Sequence, residues 1–220
     1  MKRRKKRQLA ELLKYLIVIC LVFFFGLVSL SLLVNYVAEQ SEPELEESGP
    51  SPLPALNQKI WEYKPIVEKY AEQHGIEEQT NTILAMMMQE SGGRGTDPMQ
   101  SSESLCGEIG CIDDPEHSIE QGVSFFAWVY EQAEGDTALA VQAYNFGPGF
   151  INYLQETEEP YSEDAAIAYS QYMYEEAGRE ASIYACRREE AEELDACYGD
   201  IYYVSSVMSY KEAIEMELEN

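Results

Sequence analysis

"MMMQESGGRGTDPMQSSES", Met86 to Ser104, carries an apolar helix into a glutamate and then directly into glycines and turn-forming polar residues. Two accounts fit this spelling. In the plainer one the helix ends, Gly92 and Gly93 close it, and Glu90 sits in water. In the other, Glu90 lies at the negative pole of the helix dipole, where a carboxylate is disfavoured. Met86 and Met87, four and three residues earlier, then add desolvation in the same direction. Both effects raise the pKa of the acid, so the rest of the chain decides between the accounts.

Outward from this stretch the pattern is helical. Asn57 can cap a helix with Ile60, Trp61, Ile66, Val67 and Tyr70 on one side, ended by Gly75. The helix that delivers Glu90 runs from about Glu78 to Ser91, with Ile83, Leu84, Met87 and Met88 on its inner face. Ser118 and Asp136 stand as N-caps before "IEQGVSFFAWVYEQA" and "TALAVQAYNFG". Pro148 suits the first turn of "PGFINYLQE". Ser162 opens a further helix, and a last one follows Asp200. Strand-type alternation is not sustained anywhere, although there is room for a small β-hairpin after Gly93. The expected class is an all-α globular domain over residues 57–220.

The N-terminus reads differently. A basic segment, 1–14, precedes an uncharged apolar run from Tyr15 to Val34, 20 positions, long enough to cross roughly 30 Å of hydrocarbon. A cleavable signal peptide would be shorter and would end in a small-residue site. The expectation is a transmembrane signal anchor at 15–35, single-pass. Seven of the 15 Lys and Arg lie at or before Lys14, which keeps the N-terminus cytoplasmic and puts the rest outside. Residues 36–56 are acidic and rich in Pro and Ser, the composition of an extended linker.

Beyond the anchor, eight basic residues face 39 acidic ones, about −31. Nucleic acid is excluded as a natural partner, because its phosphates would be repelled. Of five cysteines, Cys20 falls in the apolar run. Cys106, Cys111, Cys186 and Cys197 form an even set outside, where disulfides persist. Of three pairings, the local one, Cys106–Cys111 with Cys186–Cys197, is expected because each bond closes a short loop. Spacings of five and eleven without a nearby histidine pair fit a zinc site badly, and neither metal nor cofactor is expected.

There is no phosphate-cradling loop, only two histidines (His74 and His117), and no serine with an obvious base. A carboxylic acid kept protonated near neutral pH, as Glu90 could be, can protonate a leaving glycosidic oxygen. A second stretch, "AYNFGPGFINY" from Ala143 to Tyr153, joins two helices through a tight turn. Tyr144 offers an aromatic face and a hydroxyl, and Asn145 an amide with both donor and acceptor. Sugars are bound by such mixtures; a packed helix–helix corner accounts for the same residues.

"QES" at 89–91, "PMQ" at 98–100, "AYNFGPG" at 143–149 and "YVSSVMSY" at 203–210 occur in an order that resembles the lysozyme-like fold of goose-type lysozymes and lytic transglycosylases. The wording of 86–104, with "GDIYYV" near the end, is similar to the membrane-anchored lysozyme-like domain of Gram-positive wall hydrolases. Among these are two-domain hydrolases of conjugative elements, in which a peptidase domain follows. The resemblance covers roughly residues 57–212, and the expectation is that only the glycan-cleaving half is present.

It implies a peptidoglycan hydrolase cleaving the β-1,4 bond between N-acetylmuramic acid and N-acetylglucosamine, with Glu90 as general acid. Gln100, Tyr144 and Asn145 would bind sugar and Ser91 would support the acid, while Gly147 and Gly149 would permit the turn. Thr96-Asp97-Pro98 departs from the family pattern and makes Asp97 a second catalytic candidate, to position water or stabilise the developing positive charge. An Asx turn before proline explains Asp97 equally. A muramidase is the leading reading. The alternatives are a lytic transglycosylase making a 1,6-anhydro product, a non-catalytic wall-binding protein of the same fold, and a membrane adaptor with an acidic face. The expected partners are glycan strands, the membrane through the N-terminal helix, and a wall-spanning secretion or conjugation apparatus. The implied location is the cell membrane, with the catalytic domain extracellular and facing the wall.

Overall fold

The residues "ILAMMM" at 83–88 are apolar on every side of a helix, and a helix of that kind must be buried on every side. The computed structural model, which describes residues 53–219, is built around it. In chain order the helices are α1 (Lys59–His74), α2 (Thr80–Glu90), α3 (Ser102–Cys106), α4 (Pro115–Gln132) and α5 (Thr137–Phe146). After them come α6 (Gly149–Thr157), α7 (Glu163–Glu176), α8 (Glu189–Glu193) and α9 (Tyr203–Glu219). The described residues contain no strand, so in place of the hairpin allowed after Gly93 the chain forms a loop and the short α3. The span expected at 15–35 and most of the 36–56 linker lie outside the described residues. Among those described, no helix is long and apolar enough to cross a membrane.

Every side chain of α2 from Thr82 to Met88 is buried, including Ala85 and Met86, which a one-sided reading leaves out. Helices α1 and α9 pack directly on α2, α4 packs on α1 and α5, and α5 in turn meets α9. The main core therefore surrounds the helix that ends in Glu90. A smaller apolar cluster, with Phe146, Phe150, Leu154, Tyr169 and Ile201, gathers the end of α5 with α6, α7 and the chain leading to α9.

Local signals place the helix ends. The carboxylate of Asp136 accepts from the Leu139 N–H and the Ser162 hydroxyl from that of Ala165, as N-caps do. Helix α4 begins earlier than the Ser118 cap implies. Asp114 accepts from the His117 N–H at 3.1 Å and Pro115 takes the first turn, a stronger start signal four residues upstream. Ser118 is thereby freed for another use described below. Sulfur pairs join Cys106 to Cys111 and Cys186 to Cys197.

Candidate active site

Helix α2 ends where its last carbonyls find donors. The N–H of Ser91 bonds the Met87 carbonyl, and that of Gly92 reaches both Met87 and Met88. Glu90 is left on the final turn, mostly covered by protein. The Tyr203 hydroxyl, at the start of α9, donates to its Oε1 at 2.6 Å. Oε2 has no hydrogen-bond partner among the described residues and is the atom left to carry a proton. Burial raises the Glu90 pKa most strongly. The Tyr203 hydroxyl and the Arg187 charge oppose the rise, the negative charges of Asp200 and Asp97 add to it, and the result is about 7. Tyr203 is itself buried, which holds its pKa well above the ordinary value and keeps it a donor.

Glu90 opens into a cleft. Asp97, Ser102, Ile109, Arg187 and Gly199 line its inner part, and Phe125, Phe146, Gly147 and Tyr198 line the outer part. Gln100, Glu103, Tyr144 and Asn145 belong to both parts. The fold thus brings Glu90, Asp97, Gln100, Tyr144 and Asn145 to one cavity from two separate stretches of chain. The Tyr144 hydroxyl donates to the Met99 carbonyl at 2.9 Å, which ties the α5 corner to the Met-Gln turn. Asn145 Oδ1 accepts from the Asp200 N–H at 2.8 Å. That bond fixes the amide orientation, and Nδ2 has no protein partner among the described residues. Two amide donors are available to an acceptor in the cleft. Gln100 adopts φ 48°, unusual for a non-glycine residue, with its side-chain amide donating to the Asp97 carbonyl at 2.7 Å.

Two expected roles meet obstacles. Asp97 Oδ1 accepts from the Ser101 N–H (2.9 Å) and the Ser118 hydroxyl (2.6 Å), while the Ser101 hydroxyl donates to the Ser118 carbonyl at 2.9 Å. Oδ2 accepts from the Ser102 N–H (3.1 Å) and hydroxyl (2.6 Å). A carboxylate offers about four lone-pair sites, so no acceptor capacity remains for an activated water. Burial alone would raise the Asp97 pKa, but the Ser102 and Ser118 hydroxyls with the Ser101 and Ser102 N–H groups outweigh it and hold it below 3.8. The Asp97 charge persists beside Glu90 while its oxygens organise the start of α3. Ser91, expected to support the acid, donates instead to the Pro98 carbonyl at 2.8 Å and accepts from the Arg94 N–H at 3.1 Å. It staples the 91–98 loop and does not line the cleft.

Three residues near Glu90 escaped the sequence reading. Tyr203 lay inside the quoted "GDIYYV" without a role. Asp200 accepts both Nε (2.7 Å) and a terminal nitrogen (2.8 Å) of Arg188 and is almost fully buried. Because its N–H holds Asn145, this ion pair braces the far wall. Arg187 follows Cys186, and only the disulfide spacing pointed to that neighbourhood. Gly199, at φ 62°, makes the close approach possible: an added Cβ would stand 2.6 Å from the Phe146 ring and 2.8 Å from Asn145 Oδ1. Gly199→Ala should therefore lower unfolding free energy by about 1–3 kcal/mol. Denaturant titration checks this, and an unchanged midpoint would mean the corner yields.

The model of the lysozyme-like family matches residues 57–211. The bifunctional muramidase/DL-endopeptidase CwlT of Bacillus subtilis (strain 168) is 41% identical over 148 residues, 67% of this chain and 40% of that protein. The chain thus spans less than half the length of that relative. A second protein of the same organism, the uncharacterized membrane protein YocA, is 34% identical over 166 residues, 74% of this chain and 72% of its own. A crystal structure from Staphylococcus aureus subsp. aureus Mu50, described as similar to a lipoprotein of the NLP/P60 family, superposes with a TM-score of 0.61 at 33% identity. It covers 71% of this chain and 54% of its own.

Proposed function

The chain belongs to the lysozyme-like family, and on that footing we propose that it is a peptidoglycan glycosidase with Glu90 as its general acid. The bond it cleaves is the β-1,4 link between N-acetylmuramic acid and N-acetylglucosamine. The observation that carries this reading is the state of Glu90, a carboxyl group opening into a cleft with a pKa of about 7. Such a group holds a proton near neutral pH and can give it to the leaving oxygen as the C1–O bond breaks. Asp97 stays ionised and faces the same space, so its field favours the positive charge that develops on the sugar ring. The Asn145 amide donors suit an acetamido carbonyl.

Hydrolysis is supported by the muramidase in the name of the relative CwlT. One observation favours lytic transglycosylation as a second reading: Asp97 is saturated and cannot hold the attacking water, which leaves Glu103 as the one other carboxylate besides Glu90 lining the cleft among the described residues. The sugar's own acetamido group would then assist, and its 6-hydroxyl could close the anhydro ring. Mass spectrometry of fragments released from purified peptidoglycan tests both readings. Fragments ending in muramic acid support the glycosidase, and the anhydro form, lighter by one water, marks transglycosylation. Glycan left intact would overturn the proposal. In the same proposal residues 15–35 anchor the protein and 36–56 lift the 57–220 domain toward the wall, for which the naming of YocA as a membrane protein is support.

With Glu90 as the acid, activity should hold below about pH 7 and fall tenfold per pH unit above it. Tyr203→Phe removes a bond that favours the ionised form, so the alkaline limb should move to higher pH. A pH–rate profile of both proteins checks the direction, and an unmoved limb would take Tyr203 out of the account.

A further inference from the structure

Arg187 is the one basic residue lining the cleft among the described residues. Residues 57–220 carry only eight Lys and Arg against 34 Asp and Glu. Five of the eight, Lys64, Lys69, Arg179, Arg188 and Lys211, are in ion pairs. Arg187 is in none, although acidic partners are abundant, and no protein group accepts a hydrogen bond from it among the described residues. Its side chain is exposed, yet its backbone is held on both sides. The residue before it is tied to Cys197 by a disulfide. The residue after it makes the two-pronged ion pair with Asp200. A cation held in place beside the candidate acid, with its fork of donors unspent, suits a planar anion supplied from outside.

We propose that Arg187 binds a carboxylate of the glycan strand, so that the cleft selects strands that are charged at the muramic acid. This rests on the glycosidase reading for the identity of the strand. Two carboxylates share this chemistry. One is the lactyl carboxylate of muramic acid where no peptide is attached, and the other belongs to the peptide stem where the lactyl group is an amide. An acidic domain repels such strands as a whole, and one unpaired guanidinium at the reacting position offsets that repulsion only for a strand seated in register.

The test measures binding in the detergent-solubilised full-length chain carrying Glu90→Gln, so that strands are not consumed. Three probes are used: strands bearing peptide stems, strands stripped of peptide by an amidase, and stripped strands with the lactyl carboxylates converted to neutral methylamides. Adding Arg187→Gln should weaken binding of a carboxylate-bearing probe about tenfold and leave the methylamide probe unchanged, with Arg187→Lys restoring part of the loss. Loss confined to stripped strands identifies the lactyl group, and loss confined to stem-bearing strands identifies the peptide. An equal loss on all three probes, or none on any, overturns the proposal, because a role through Glu90 or through folding would not depend on strand charge. Cleavage by the parent enzyme is read separately. Charge-selective binding without cleavage would remove the glycosidase reading and leave Arg187 as an anion site.

Discussion

Glu90→Gln should abolish glycan release, lowering the rate by about 10²–10⁴-fold, the range general acid catalysis supplies, while making the protein more stable above neutral pH. Both effects come from the same burial. The folded pKa of about 7 lies above the ordinary 4.5, so between those values the folded chain holds a proton that the unfolded chain has released. Stability therefore falls as pH rises from about 4.5 to about 7, and above that the full cost of a buried carboxylate is present. At about 1.4 kcal/mol for each pH unit, that cost is about 3 kcal/mol. Glutamine keeps an acceptor for the Tyr203 hydroxyl and carries no charge, so the variant should gain about that amount at pH 8 and nothing at pH 4. Denaturant titrations at the two pH values, beside a turbidity assay on cell walls, check it. A variant that stays active removes Glu90 as the acid. A variant that is inactive but no more stable at pH 8 shows that its carboxyl does not bear this burial cost.

Asp97→Ala should lower unfolding free energy by about 3–5 kcal/mol, since several hydrogen bonds to a charged acceptor are lost together. That is a large fraction of the stability of an ordinary domain. The serines around Asp97 are buried at 101, 102 and 118, so their N–H and hydroxyl groups would have no water to turn to. The depressed folded pKa sets the pH range. The stabilisation from the ionised form is present above 3.8 and is lost as pH falls through the lower folded value. The deficit of the alanine variant should accordingly shrink in acid. Asp97→Asn separates the roles further, since it keeps the shape and loses one acceptor. A catalytic base there would leave the asparagine protein fully stable and inactive; a structural carboxylate whose field assists the reaction leaves it weakened, with activity reduced but not abolished.

The helical class and most helix starts were legible because they are local. Asp136 and Ser162 cap their helices by contacts three residues away, and periodicity marks the buried faces. Glu90 was legible as a candidate, but on grounds that captured only part of the cause. Its methionine neighbours do lie in the core, yet the Tyr203 hydroxyl comes from 113 residues away, a distance no local pattern spans. Asp97 shows the converse. Sequence placed it near Glu90, but its partners include Ser118, 21 residues on and inside a helix that begins earlier than its spelling suggested. Arg187 was invisible for a third reason: its interest lies in lacking a partner, which only the arrangement of every other charge makes apparent.

In the proposed function one carboxyl group, kept protonated near neutral pH by burial, is the acid of a glycan-cleaving cleft. Titrating the side-chain carboxyl carbon of Glu90 by 13C NMR in the full-length chain, in parallel with the pH dependence of glycan release, tests it most directly. A midpoint of about 7 for the carboxyl group and an alkaline limb of activity at the same pH are expected. A midpoint near 4.5, or an activity limb that ignores the measured one, would contradict that role for Glu90.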